Sequence, residues 1–182
     1  MFSKTIQITN IGSVLFEYST RAKHINISVK YPSKIRVAIP QGISFTQAKN
    51  FTISKEVWIK RNLLKLNLRT KIPLSSNPIE LEYAKNYLTK RIEDLSNKHG
   101  FKYNKVTIKY QKTRWGSCSG YNNISLNLQL LSLPSNLIDY VILHELVHTL
   151  IKNHSPLFWR SLDKYVGNSR NVNKELKKYI LS

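Results

Sequence analysis

From Ser135 to Ile151 the chain is apolar on nearly every side, with Leu137, Ile138, Val141, Ile142, Leu143, Leu146, Val147 and Leu150 at helical spacing. A helix of this kind is buried, so other parts of the chain must enclose it. Yet it carries His144, Glu145 and His148, and burying such groups is costly unless each finds a partner. Helical residues advance by about 100° each, so His144 and His148 lie about 40° apart and both imidazoles can reach one ion. Glu145, beside the first imidazole, can reach a water on that ion without entering its coordination sphere.

His154 follows six residues after His148. A continued helix would carry it to another face. The local sequence predicts a break instead. Asn153 tolerates a left-handed backbone, Ser155 is a good helix cap, and Pro156 suits the first turn of a new helix while holding Ser155 extended. A turn at Lys152 to Asn153 would return His154 to the ion. Three histidines plus a water make an open, catalytic site, and the donor set suits one zinc per chain, with nickel, cobalt and copper also compatible.

The N-terminal forty residues alternate apolar and polar positions over Thr5 to Thr9, Val14 to Ser19, His24 to Lys30 and Lys34 to Ile39. This predicts an antiparallel sheet with one solvated face, in which His24 is a surface or half-buried strand residue. Ser44 and Gln47 form a capping box for helical sequence running to Leu68, as one long helix or two short ones. Lys71 to Asn77, with Pro73 and Ser75-Ser76-Asn77-Pro78, is expected to be the connector between a module spanning 1–70 and a domain spanning 71–182.

Beyond it, Ile79 to Leu95 predicts an amphipathic helix closed at His99-Gly100, and Lys105 to Gln111 and Asn123 to Leu128 predict strands. Between those strands runs Thr113-Arg114-Trp115-Gly116-Ser117-Cys118-Ser119. Arg114, Trp115 and Ser117 are candidates for one edge of a substrate cleft, because a strand and glycine turn just before a metal helix can seat an extended peptide. Pro156 to Val166 and Asn171 to Ile180 predict two closing helices, the first with Phe158, Trp159, Leu162 and Tyr165 along its apolar stripe.

Lys and Arg number 29 against 10 Asp and Glu, a formal charge of +19, which favours nucleic acid, nucleotides or other anions as partners. The basic residues are spread along the whole chain, as on a solvated surface. No apolar run approaches the roughly 20 residues of a membrane span, and Met1 to Thr5 lacks the apolar core of a signal peptide. A cytoplasmic location is expected, and the single cysteine, Cys118, agrees with a reducing compartment.

Taken together, the Thr113 to Ser119 run, Ile124-Ser125-Leu126-Asn127, Leu133-Pro134, Ile138-Asp139-Tyr140-Val141, the His144 to His148 motif, Asn153-His154-Ser155 and Phe158-Trp159 resemble the YgjP-like metallopeptidase-domain family. Arg21 to Ile25, Pro40-Gln41-Gly42 and Trp58-Ile59 resemble its N-terminal part. The resemblance implies an α+β protein. Its C-terminal domain is then zincin-like, related in pattern to SprT-like and minigluzincin peptidases, with His144, His148 and His154 as zinc ligands and Glu145 as catalytic base. Metzincins share the ligand spacing but carry Gly where this chain has Ile151, so the turn here is built differently. The expected activity is peptide hydrolysis by a zinc-bound water activated by Glu145. One bacterial relative is described as a UTP pyrophosphatase, so a nucleoside triphosphate is the alternative substrate. A basic, nucleic-acid-associated protein with structural zinc is the third reading.

Overall fold

The computed structural model describes residues 3–30, 32–71 and 77–181, and the chain divides into two compact units, Met1–Arg69 and Thr70–Ser182. Residues 72–76 of the expected connector lie outside the described residues.

The first unit contains β1 (Ser3–Ile8), β2 (Gly12–Ser19), β3 (Asn26–Lys30), β4 (Lys34–Pro40), α1 (Phe45–Ser54) and α2 (Glu56–Asn67). Its sheet runs β1-β2-β4-β3. The antiparallel expectation holds for β1 with β2 and for β3 with β4, whereas β2 and β4 are parallel, with Phe16 opposite Val37. Burial explains the difference. β4 carries Ile35, Val37, Ala38 and Ile39, all buried, and takes an inner position, while the half-exposed β3 is left at the edge. His24 is exposed in the bend ahead of β3 rather than within the strand.

The helices close this sheet. At the start of α1 the Ser44 hydroxyl accepts from the Gln47 amide at 3.2 Å and the Gln47 side chain accepts from the Ser44 amide at 2.9 Å, completing the capping box. Phe45 meets Phe16 edge-on at 5.1 Å, and Ala48 and Ile59 complete a core with Val14, Val37 and Ile39.

The second unit contains β5 (Thr70–Lys71), α3 (Pro78–His99), β6 (Lys105–Lys109), β7 (Gly116–Cys118), β8 (Asn123–Asn127), a 3-10 turn (Leu128–Ser132), α4 (Ser135–Val147), α5 (Pro156–Val166), α6 (Ser169–Leu176) and β9 (Tyr179–Ile180). Its main sheet runs β6-β8-β7, parallel between β6 and β8 and antiparallel between β7 and β8. A short parallel pair joins β5 to β9.

α4 is the spine of this unit. Leu137, Ile142, Leu146 and Val147 are almost wholly inaccessible and pack with Leu88 and Ile92 of α3, Leu126 of β8, and Phe158 and Leu162 of α5. Each such side chain contributes roughly 1.5–3 kcal/mol through burial, which holds the helix firmly along its length. The Arg91 guanidinium grips the Asp139 carboxylate with two contacts of 2.6 Å, fixing α3 against α4. α3 stops where Gly100 takes φ +74, and the Phe101 amide returns to the Ser96 carbonyl at 3.0 Å. Among the described residues no helix is long and apolar enough to cross a membrane.

Candidate metal centre

His144 and His148 lie one turn apart on α4 with their rings 4.9 Å apart. Regular helix ends sooner than Ile151: Val147 is its last residue and His148 its cap. The chain then tightens, with the Thr149 amide donating to Leu146 and the Leu150 amide to Val147, both at 3.0 Å. The turn falls where the sequence predicts it, but Asn153 does not use the left-handed backbone it tolerates. Its side-chain oxygen accepts from the Ser155 amide at 3.2 Å, a local turn that delivers the chain to Pro156 and α5. Lys152 anchors the same loop by donating to the Ser119 carbonyl at 3.0 Å and to the Asn122 side chain, with its amine 3.8 Å from Cys118 Sγ.

This turn brings the third imidazole back. His154 Nε2 stands 3.0 Å from His144 Nε2 and 3.1 Å from His148 Nε2, and the ligand atoms of the three residues fall within 4.8 Å of one another. Nitrogens bound to one tetrahedral zinc at about 2.0–2.1 Å would be about 3.3–3.4 Å apart, so modest adjustment admits an ion. His148 directs its other ring nitrogen, Nδ1, to the Ile151 carbonyl at 2.9 Å. Donation there leaves the Nε2 lone pair facing the cluster. Phe158, fully buried, forms the floor: it stacks on His148 at 4.4 Å and meets His144 and His154 edge-on at 4.8 Å.

The electrostatics suit neutral, ligating imidazoles. Burial, followed by the neighbouring His148 and His154, pushes His144 down to about 3, and burial likewise lowers His148. Glu145 is 6% exposed, and its burial raises the carboxyl to about 8, with Arg114 pulling the other way. The donor set, its neutrality and its convergence therefore fit a borderline-soft divalent metal such as zinc.

β7 lies at the edge of its sheet and passes directly over the acid. A Cβ on Gly116 would stand 2.8 Å from Glu145 Cγ and Oε1. Half-buried Trp115 packs on the core and its carbonyl accepts from the Asn127 amide at 2.8 Å, while Arg114 is exposed. The structure thus brings Arg114 and Trp115 to the neighbourhood of Glu145. Ser117 alternates to the opposite face of the strand from Gly116.

A cavity of about 190 Å³ adjoins His144 and Glu145. Trp115, Val141 and Leu176 give it apolar walls, and Tyr140 and Asn173 add polar groups. Sequence reasoning placed Gly116 at the cleft edge as a turn glycine, without its approach to Glu145, and missed Asn173 and Leu176 as members of this region. Gly116 opens strand β7 rather than forming a turn, and for the α6 residues the sequence carried no signal.

Residues 78–179, running from α3 to the start of β9 and including all three imidazoles, match the family model of the YgjP-like metallopeptidase domain. The chain belongs to this family. The matched segment of the YgjP-like chain excludes the N-terminal unit, where the resemblance rested on Arg21 to Ile25, Pro40 to Gly42 and Trp58-Ile59. Among solved structures the YgjP-like chain is similar to the metallopeptidase zymogen abylysin of Pyrococcus abyssi, at 21% identity and a TM-score of 0.45, over 52% of this chain and 99% of that one. It is also similar to the metallopeptidase zymogen jannalysin of Methanocaldococcus jannaschii, at 25% identity and a TM-score of 0.41, over 49% of this chain and 92% of that one. No curated protein matches the sequence.

Proposed function

We propose that this YgjP-like protein is a zinc-dependent peptidase in which His144, His148 and His154 hold one zinc ion and Glu145 is the general base. The observation that carries this reading is the convergence of three Nε2 atoms, with the buried Glu145 lining the same cavity as His144. Zinc bound there supplies Lewis acidity, polarising a carbonyl and lowering the pKa of water to about 7.

The chain's own residues do the remainder. Glu145 takes a proton from the water that attacks the peptide carbonyl and returns it to the departing amine nitrogen, so that water is added across the C–N bond. Burial raises the proton affinity of this carboxyl, and the charge of a bound zinc beside it would favour the ionised form that accepts the proton. The free edge of β7 offers main-chain N–H and C=O groups with which an extended peptide can pair, laying its scissile bond over α4. In this reading the exposed Arg114 meets carbonyl or carboxylate groups of that peptide, which its electrostatic effect on Glu145 supports.

The cavity bears on substrate class. At about 190 Å³ it lies below the roughly 300–1,000 Å³ typical of small-molecule pockets, and it suits one amino-acid side chain better than a whole nucleotide. Lys152, the lysine of the loop between His148 and His154, is committed to Ser119 and Asn122. The test is to offer zinc-loaded protein an unfolded polypeptide and UTP in parallel, with Glu145→Gln as the blank. Peptide cleavage by wild type alone is expected. Pyrophosphate release without peptide cleavage would overturn the reading.

A further inference from the structure

The N-terminal unit has an open groove of about 320 Å³ that the chemistry of the metal centre does not use. Ile25, Asn26 and Ile27, where β3 begins, form one side, and Phe51 of α1 and Trp58 of α2 form the other. Trp58 is 46% exposed, although an indole is usually well covered. Lys55 also lines the groove and sets its amine 5.3 Å from the centre of the Phe51 ring. Arg61 and Lys65, both exposed, follow Trp58 at helical spacing on the same side of α2. The indole thus stands in a row with three cations. The unit as a whole carries 12 Lys and Arg against two acids, Glu17 and Glu56. Both acids are already engaged, Glu17 with Arg36 and Glu56 with Lys60. More than half of the chain's +19 therefore lies in this smaller unit.

We propose that this groove binds single-stranded nucleic acid, with bases stacked on Trp58 and against Phe51, and phosphates met by Lys55, Arg61 and Lys65. Charge decides the class of partner. A nucleic acid brings a negative charge at every nucleotide, whereas a polypeptide has no fixed charge to set against this excess of cations. The exposed indole decides the state of the strand. Bases in a duplex cover one another's faces, while an unpaired base leaves its face open to an aromatic ring. The groove, near the lower limit of small-molecule pockets at roughly 300 Å³, suits a splayed-out base and is too small for a duplex. Phosphates and base faces are common to DNA and RNA, so these contacts do not read the sugar.

The test is fluorescence anisotropy of the full-length protein with a labelled oligothymidylate of about 15 nucleotides, roughly one single-strand site. Wild type should bind it more tightly than a duplex of the same length, with log affinity falling linearly against log salt, and oligouridylate should displace it. Trp58→Ala should weaken single-strand binding by about tenfold and leave duplex binding unchanged, while Trp58→Phe keeps most of the affinity. Lys55→Gln should reduce the salt slope by roughly 0.7. Lys4→Gln removes the same charge from β1, at the opposite edge of the sheet, and should leave affinity and slope almost unaltered. Both lysines are exposed, so these two variants decide the matter even if Trp58→Ala fails to fold. No binding at low salt, duplex bound as tightly as single strand, an affinity indifferent to Trp58→Ala, or equal losses from Lys4→Gln and Lys55→Gln overturns the assignment. Trp58-dependent binding of an unfolded polypeptide in preference to the oligonucleotide, or a dimer that Trp58→Ala dissociates, gives the groove another occupant and overturns it too. None of these readouts involves zinc or hydrolysis, so each outcome leaves the peptidase reading as it was.

Discussion

A Cβ built on Gly116 would come within 2.8 Å of both Cγ and Oε1 of Glu145, so the edge strand and the acid share a space that admits no side chain. Gly116→Ala therefore displaces the carboxylate, since β7 is fixed to β8 by its pairing with Leu126. We expect turnover to fall by about 10- to 100-fold, as small misplacements of a catalytic group do, with zinc content unchanged. Stability should fall by about 1–3 kcal/mol from the overpacking. Turnover equal to wild type at matched metal content would show that the contact does not position the acid.

Glu145 also makes a pH-dependent contribution to the stability of the metal-free protein. Burial raises its carboxyl from 4.5 to about 8. The folded state therefore holds a proton that the unfolded chain releases, and the associated stability is fully present below pH 4.5 and lost as pH rises through about 8. Glu145→Gln cannot ionise. Its advantage over wild type should open above pH 4.5 and level off above about 8, at a few kcal/mol on the order-of-magnitude scale of one pKa unit per 1.36 kcal/mol. Denaturant titrations of chelator-treated proteins across this range check it, and a difference that does not vary with pH contradicts it.

How far the sequence reveals such relationships depends on their range along the chain. The buried helix, the clustering of His144 with His148, and the Ser44 capping box follow from periodicity and nearest-neighbour chemistry, and the structure has all of them. The parallel pairing of β2 with β4 does not, because alternation marks a strand without naming its partner. The turn after His148 was legible only as a break. Asn153 has two ways to turn a chain, a left-handed backbone or a side-chain acceptor, and the geometry that selects the second includes the contacts of Lys152 with Ser119 and Asn122, residues about thirty positions away. Asn173 and Leu176 reach the cavity through helix packing, which leaves no local mark in sequence.

Lys152 supplies a third prediction. Its amine ties the loop between His148 and His154 to the β7–β8 turn, outside the ligand set itself. Lys152→Met should weaken zinc binding by about tenfold, the lower end of what outer partners of metal ligands contribute, while thermal unfolding of the metal-free protein shifts little. Competition against a chromogenic chelator gives the affinity. An unaltered affinity would mean that the loop holds His154 in place without this anchor.

The central claim is that three imidazoles of one chain hold one metal ion. Native mass spectrometry of the dialysed protein, after exposure to zinc, measures this with no assumption about substrate. Wild type should carry one zinc per chain, Glu145→Gln should carry the same, and His148→Ala and His154→Ala should each carry none at the same free zinc. A wild type that takes up no zinc, or a His154→Ala variant that binds it as fully as wild type, would contradict the account.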